Sequence, residues 1–219
     1  MNLGSWIATL LALAFVPSGL SALLAKSVVN WEEIFRPARI GSAHVKAQYV
    51  DAAGVAHTIE LWRQGTLQLR RDTDSALTLY LRKDESGQTI FHAFDWRRRI
   101  HFGGNQAHLY EAGVFSDYMG LATFMTSPSK FSMTAVVKGR VEHMSFGDCQ
   151  WYSLQSRGRM GAQHVCWSPR WAIPFAIRRA ADGVTVFSIL SLSDDVPPEA
   201  FTIPTTGFSI GDEVGEEED

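Results

Sequence analysis

Short runs of alternating apolar and polar residues, separated by turn sequences, fill the chain between Gly41 and Phe102. Runs of this period are typical of β-strands with one buried and one solvated face. Turn sequences such as Gln64-Gly65 connect consecutive runs, and strands joined by tight turns pair antiparallel. The sequence therefore predicts an antiparallel meander with six strands: Ala43–Val50, His57–Arg63, Thr66–Arg71, Ala76–Arg82, Thr89–Phe94 and Arg99–Phe102.

Two segments beside the meander favour helices. Ala22–Phe35 has an amphipathic pattern that Pro37 ends. Val114–Met125 carries one charge, Asp117, and a helix that is apolar nearly all round is buried or covers an apolar surface. The C-terminal half predicts further strands at Phe131–Val137, on both sides of a 149–166 hairpin, at Ile173–Arg178 and at Thr185–Ser193.

The two cysteines of the chain, Cys149 and Cys166, flank that predicted hairpin. If Arg157-Gly158 is a two-residue turn, the cysteines lie directly opposite each other at a non-hydrogen-bonded pair, about 4.5 Å apart between Cα atoms. That separation suits a disulfide, which indicates an oxidising compartment. A reactive thiol and a pair of free buried thiols are the alternatives, but a reactive thiol needs a fixed base beside it.

The N-terminal segment Leu3–Ala25 contains no charged residue. Its apolar centre, Trp6–Val16, has the length of a signal-peptide core, and small residues at Gly19 and Ser21 favour cleavage before Ala22. An uncleaved membrane anchor is an alternative, since about 20 apolar residues can span a bilayer. A buried helix is a third.

These features predict a signal peptide at 1–21, one domain at 22–206 and an acidic disordered tail at 207–219. The predicted location is the periplasm or another exported compartment, with tethering to the inner membrane through residues 3–25 as the alternative.

Bulk composition excludes some functions. The chain has 219 residues, 46% of them hydrophobic, and a net charge of −3. It therefore has enough apolar residues for a core and lacks the positive field that attracts nucleic acid. No nucleophile elbow, phosphate-binding loop or dinucleotide fingerprint is present. The chain is predicted not to be an enzyme and to need no cofactor.

The layout resembles that of the LolA/LolB-like superfamily of periplasmic lipoprotein carriers. The resemblance rests on the Gly41–Phe102 meander, the apolar helix after it, the Cys166-Trp-Ser-Pro-Arg-Trp-Ala-Ile-Pro174 segment and the final Phe201-Thr-Ile-Pro204. It implies an α+β fold that is mainly β: a strongly curved antiparallel sheet forms a half-open barrel, and helices cover its concave face.

The resemblance also implies an apolar cavity that holds a lipid, an acyl chain or an acylated protein. We expect a monomeric carrier or chaperone of the cell envelope. The sequence does not identify the concave face, so the candidate lining residues come from both faces: Trp62, Leu67, Leu69, Leu79, Phe91, Phe94, Met119, Phe124 and Trp171. Each of them has ordinary core packing as its alternative role.

An arginine cluster, Arg97-Arg98-Arg99, follows Asp95-Trp96 in a predicted turn. Its simplest interpretation is a solvated hairpin end. The functional alternative is a docking patch for an acidic envelope partner, which would make the protein an interaction or sensor protein. The seven histidines show no close metal-ligand spacing, although His92 and His101 could be neighbours across this turn. No metal site is predicted.

Overall fold

The structure is a computed structural model, and it describes residues 28–105, 107–108, 117–126, 133–156 and 161–211. The predicted signal peptide 1–21 lies outside the described residues, as does 212–219 of the predicted tail. In the described part of the chain no helix is long and apolar enough to cross a membrane.

The described residues form thirteen β-strands in a single sheet, in the order β1-β8-β9-β10-β11-β12-β2-β3-β4-β5-β6-β7-β13. All neighbouring strands are antiparallel except β7 and β13, which are parallel. The strands are β1 (Val28–Val29), β2 (Ala43–Val50), β3 (Ala56–Gln64), β4 (Gln68–Thr73), β5 (Leu77–Lys83), β6 (Thr89–Asp95), β7 (Ile100–Asn105), β8 (Met133–Met144), β9 (Gly147–Ser156), β10 (Gln163–Ser168), β11 (Ile173–Arg179), β12 (Thr185–Ser193) and β13 (Ser209–Ile210).

Two short α-helices accompany the sheet in the described residues. Helix α1 (Trp31–Phe35) begins at Asn30, whose side chain accepts the Glu32 N–H. Helix α2 (Tyr118–Thr123) begins at Asp117, whose carboxylate accepts the Gly120 N–H. Acceptors at this position satisfy N–H groups that have no partner inside the helix. A 3-10 helix covers Pro198–Phe201.

The predicted α+β class, with helices covering the concave face, is wrong. Helices α1 and α2 contain five and six residues, so they are about 8 and 9 Å long. Thirteen strands at the usual spacing extend about 58 Å along the sheet. Helices of this length do not cover such a sheet, and the described part of the molecule is a mainly β protein built on one open sheet.

The predicted meander is confirmed. Strand β2 has the predicted bounds, and β3 to β6 agree with the prediction within two residues at each end. The alternating apolar residues lie on one buried face, as predicted: Leu61, Leu69 and Leu81 are fully or almost fully buried there. We call this buried side the inner face. The inner faces of neighbouring strands join in one hydrophobic core.

Strand β8 is longer than predicted, because it continues past Val137 to Met144. The polar Lys138-Gly139-Arg140 sequence concealed this continuation. A register shift interrupts the β8–β9 ladder between Lys138 and Val141. At Gly139 a Cβ atom would lie 3.2 Å from the Trp151 carbonyl oxygen, so glycine allows the two strands to approach closely here.

The structure joins Cys149 and Cys166 in the predicted disulfide, with 5.3 Å between their Cα atoms. The predicted register is wrong by two residues, since Cys166 pairs with Trp151 and the cysteines are therefore diagonal neighbours. A shift of two residues keeps each side chain on the same face, so it leaves the bond possible. Both cysteines are almost fully buried.

We expect the disulfide to stabilise the β9–β10 hairpin, because it closes a loop of about 17 residues that is otherwise free in the unfolded chain. Replacement of both cysteines by serine should lower the free energy of unfolding by about 3 kcal/mol, as measured by urea denaturation. The oxidised and reduced wild-type proteins provide the matched comparison. Identical denaturation midpoints for the two forms would contradict this expectation.

Candidate functional site

A cavity of about 300 Å³ lies between α2 and the inner face of the sheet. Seven of its eleven lining side chains are apolar. The lining residues are Tyr49, Ile59, Arg71, Gly120, Leu121, Phe124, Thr126, Gln163, Ile177, Val186 and Phe187. We call this space the α2 cavity. Exposed Thr126 and half-buried Gln163 place its polar edge near the surface.

The α2 cavity lies across several strands of the sheet. Gln163 lies on β10 and Arg71 on β4, five strand spacings apart in the sheet order. In a flat sheet this separation would be about 24 Å. The long side chains of both residues reach one cavity of about 300 Å³, which therefore spans the strands between them.

The Arg63 side chain connects several backbone segments near this cavity. Its side chain is fully buried on β3, and its guanidinium donates to the carbonyl oxygens of Gly41 at 3.1 Å, of Ala122 at 2.6 Å and of Trp171. A longer contact reaches the Ala172 carbonyl oxygen at 3.4 Å. Burial lowers the pKa of Arg63 to about 10, so the group stays charged at neutral pH. One cation thus joins β3, the end of α2 and the β10–β11 turn.

Helix α2 is attached at its other end as well. Asp117 forms a two-point ion pair with Arg36, which follows α1, and one of its two contacts is a 2.9 Å hydrogen bond. The Tyr118 hydroxyl donates to the Gly65 carbonyl oxygen at 3.0 Å, in the β3–β4 turn. The short helix is therefore positioned by polar contacts at both ends, and Leu121 and Phe124 are held against the cavity.

Among the described residues that line the α2 cavity, Arg71 is the one that carries a charge. On the inner face it pairs with Leu61 on one side and with Leu79 on the other. Its guanidinium lies 5.9 Å from the centre of the Phe124 ring, and no described carboxylate contacts it. Burial lowers the pKa of Arg71, with an opposing effect from Tyr49.

The sequence analysis did not select Arg71, although alternation contained the signal. Leu67, Leu69 and Arg71 have the same parity and therefore share a face if the strand continues. Strand β4 does continue, to Thr73, which places Arg71 in the strand and not at its end.

The predicted lining residues lie in different places, and their role as a ligand site stays a prediction. Phe124 lines the α2 cavity and packs against Phe187 at 5.1 Å between ring centres. Leu69, Leu79 and Phe91 are buried in the core. The others are half-buried Met119 on α2 and half-buried Trp171 in the β10–β11 turn, together with Leu67, which is 63% exposed in the β3–β4 turn.

Trp62 and Phe94 lie on the opposite face of the sheet, which we call the outer face. Trp62 stacks on His44 at 4.9 Å and lies beneath the Arg70 guanidinium at 4.7 Å. Phe94 stacks on His101 at 4.5 Å and meets Phe208 at 4.9 Å. The structure therefore does not bring these two residues to the α2 cavity.

The arginine cluster Arg97–Arg99 lies exposed at the β6–β7 turn. The Asp95 carboxylate accepts the backbone N–H groups of Arg97 and Arg98, which shapes the turn. Arg99 has a φ of 58° and lies over the Phe208 ring at 5.1 Å. Part of the predicted tail therefore packs here, since Ser209–Ile210 forms β13 beside β7.

Two histidines have pKa values shifted in opposite directions. Hydrogen bonds to Asp74 at 2.6 Å and to Asp51 at 3.4 Å raise the pKa of His57, whose ring stacks on the cavity residue Tyr49. Burial, with the nearby His101, lowers the pKa of His92. The His92 and His101 rings are neighbours, as expected, with 3.0 Å between ring nitrogens.

The described residues contain no group of three or more His, Cys, Asp or Glu side chains arranged to hold a metal ion.

Comparison with solved structures gives a distant similarity. No family model matches the chain, and no curated protein matches it. Among solved structures, the chain is similar to the protein in the crystal structure of MucB, with a TM-score of 0.41 and 14% sequence identity. The match covers 77% of this chain and 58% of that one.

We expect Arg63 to be needed for stability. Arg63→Met keeps most of the apolar stem but removes every donor, so the Ala122 and Trp171 carbonyl oxygens lose a charged partner. The free energy of unfolding should fall by about 3 kcal/mol, as measured by urea denaturation. Arg39→Met, at an exposed arginine, is the control and should change it by less than about 0.5 kcal/mol. Equal losses in the two variants would disprove the role of Arg63.

The two histidines should titrate on opposite sides of pH 6.5, their ordinary value. His57 stabilises the folded state below pH 6.5 and loses this effect as the pH rises through its raised pKa. Protonation of His92 opposes folding, so its effect appears as the pH falls below 6.5. Side-chain NMR titration of the native protein measures both midpoints, and Asp74→Asn should lower that of His57 alone.

Proposed function

We propose that the chain is a non-enzymatic binding protein of the cell envelope, which holds the acyl chain of a lipid or of an acylated protein in the α2 cavity. The observation that supports this most directly is a mainly apolar, open cavity of about 300 Å³ between a short helix and the sheet. Ligand cavities in proteins have this character: mostly apolar walls with a few polar groups. Export is supported by the disulfide and by the predicted signal segment.

Burial of an acyl chain can supply the affinity that such a function requires. Each methylene group removed from water contributes roughly 0.8 kcal/mol, so a chain of a dozen methylenes contributes about 10 kcal/mol. Association costs of about 4–15 kcal/mol oppose this. The balance favours moderate and reversible binding, which suits a carrier or chaperone that must later release its ligand.

Lipid should accompany the native protein, and filling the cavity should exclude it. Protein purified from its own host should carry acyl-chain lipid, detected by native mass spectrometry and by organic extraction. Val186→Trp places a large ring at the cavity wall and should reduce the bound lipid at least about tenfold, because the added ring occupies the ligand volume.

Val184→Trp is the matched control, since Val184 is exposed just before β12 and does not line the cavity. Thermal unfolding verifies that both variants are folded. Lipid-free wild-type protein in repeated preparations, together with no uptake of apolar dyes, would refute the proposal. Equal lipid content in Val186→Trp and Val184→Trp would show that lipid binds somewhere other than the α2 cavity.

A second candidate function is that of an envelope interaction or sensor protein. The exposed cluster Arg97–Arg99 lies at the end of β7, and the two-residue β13 pairs with Ile100 and His101 only. A sheet edge beside a cluster of positive charge suits an extended acidic segment of a protein partner. Loss of partner capture on Arg97→Ala/Arg98→Ala, with lipid content unchanged, would favour this function over the carrier.

A further inference from the structure

We infer that the ligand of the α2 cavity is a single-chain amphiphile with an anionic oxygen head group, and that Arg71 binds this head. The inference rests on the proposed function and names the ligand class for the same cavity. The observation behind this inference is that the mainly apolar lining of the cavity includes one guanidinium, that of Arg71, which no described carboxylate neutralises.

The position of Arg71 makes this observation informative. Leu61 and Leu79 are its neighbours on the adjacent strands, so the cation interrupts an apolar row of the inner face. Arg71 is half-buried, and a partly desolvated cation is favoured by a charge or strong acceptor beside it. Phe124 supplies only the weak attraction of a ring at 5.9 Å.

The adjacent residue, Arg70, provides a comparison, because it is an arginine on the outer face of the same strand. Arg70 forms an ion pair with Asp72 at 2.7 Å and lies over Trp62 at 4.7 Å and over Tyr80 at 5.6 Å. Arg70 therefore has a carboxylate partner on the outer face. Arg71, on the inner face, is equally half-buried but has no described carboxylate partner, and it lines the cavity.

A guanidinium matches two kinds of anionic head group. Its planar fork of N–H donors binds carboxylate or phosphate oxygens through paired hydrogen bonds. Both a fatty acid and a single-chain phospholipid present such oxygens at one end of an apolar chain. The cavity volume of about 300 Å³ is at the lower limit for ligand sites, which favours one chain over two.

The test compares three amphiphiles of equal chain length: decanoate, decyl phosphate and decanol. Binding to the full native protein, freed of lipid beforehand, is measured by isothermal titration calorimetry at neutral pH. We expect one or both anions to bind at least about tenfold more tightly than decanol. The ratio of decanoate to decyl phosphate identifies which head group the site prefers.

Arg71→Met should remove the preference for the anions, so that decanoate and decyl phosphate bind this variant no more tightly than decanol binds it. Arg39→Met, which removes the same charge from an exposed position, should keep the preference. Arg71→Lys retains a cation without the planar fork and should keep a reduced preference. Arg71→Met should also be at least as resistant to thermal unfolding as the wild type, because it removes an unpaired cation from an apolar surface.

The outcomes separate this inference from the proposed function. If decanol binds the wild type as tightly as both anions, the cavity is a site for apolar chains and the role of Arg71 is wrong. If Arg71→Met keeps the anion preference, another group binds the head and the inference is equally wrong. If none of the three amphiphiles binds, the acyl-binding function itself fails. Should Arg71→Met not fold, the wild-type comparison and Arg71→Lys still decide the question.

Discussion

The buried Arg63 guanidinium is the contact on which the architecture of the candidate site depends. A sheet of thirteen strands twists by itself, but this twist does not fix which distant segments meet, and the helices beside the sheet are short. Arg63 extends from β3 to backbone carbonyl oxygens on α2 and on the β10–β11 turn, which belong to distant parts of the sheet. Because each carbonyl is a neutral acceptor, the cation can bind several at once without requiring a buried carboxylate.

This contact also explains how a six-residue helix can be part of a cavity wall. A helix of that length is marginal by itself, since helix nucleation is costly and few internal hydrogen bonds repay it. Helix α2 compensates with the Asp117 cap, with the Arg36 ion pair and with Arg63 at its C-terminal end. A cation near the last carbonyl groups is also favourable to the helix dipole. Leu121 and Phe124 can then face the cavity.

The sequence was sufficient to predict the strands but not how distant parts of the fold meet. The six meander strands follow from alternation and turn residues, which are local properties. The disulfide register was wrong by two residues because a period of two cannot detect such a shift, and only the turn distinguishes the alternatives. The covering helices were wrong because an apolar stretch such as Val114–Met125 indicates burial without indicating length or extent of coverage.

The sequence predicted an apolar inner surface, but it did not predict which residues line the cavity. An inner apolar surface followed from the leucines of β3 to β5, but Trp62 and Phe94 lie on the outer face. Nothing local distinguishes the concave side of a strand from its convex side when both carry large apolar residues. The sequence also could not show that β12 pairs with β2 and so brings β11 to the cavity wall, since that pairing joins residues more than 130 positions apart.

The two arginines of β4 show why position matters more than residue type for function. Arg70 and Arg71 are adjacent in sequence, yet alternation directs one to a polar face with Asp72 and the other into an apolar row. If the α2 cavity binds an amphiphile, the apolar walls set how tightly the chain is held, because methylene burial is additive and unspecific. The single cation would then set which head groups are preferred, because an uncharged head leaves the half-buried Arg71 without an anionic partner. Affinity and selectivity would thus arise from different residues of one small surface.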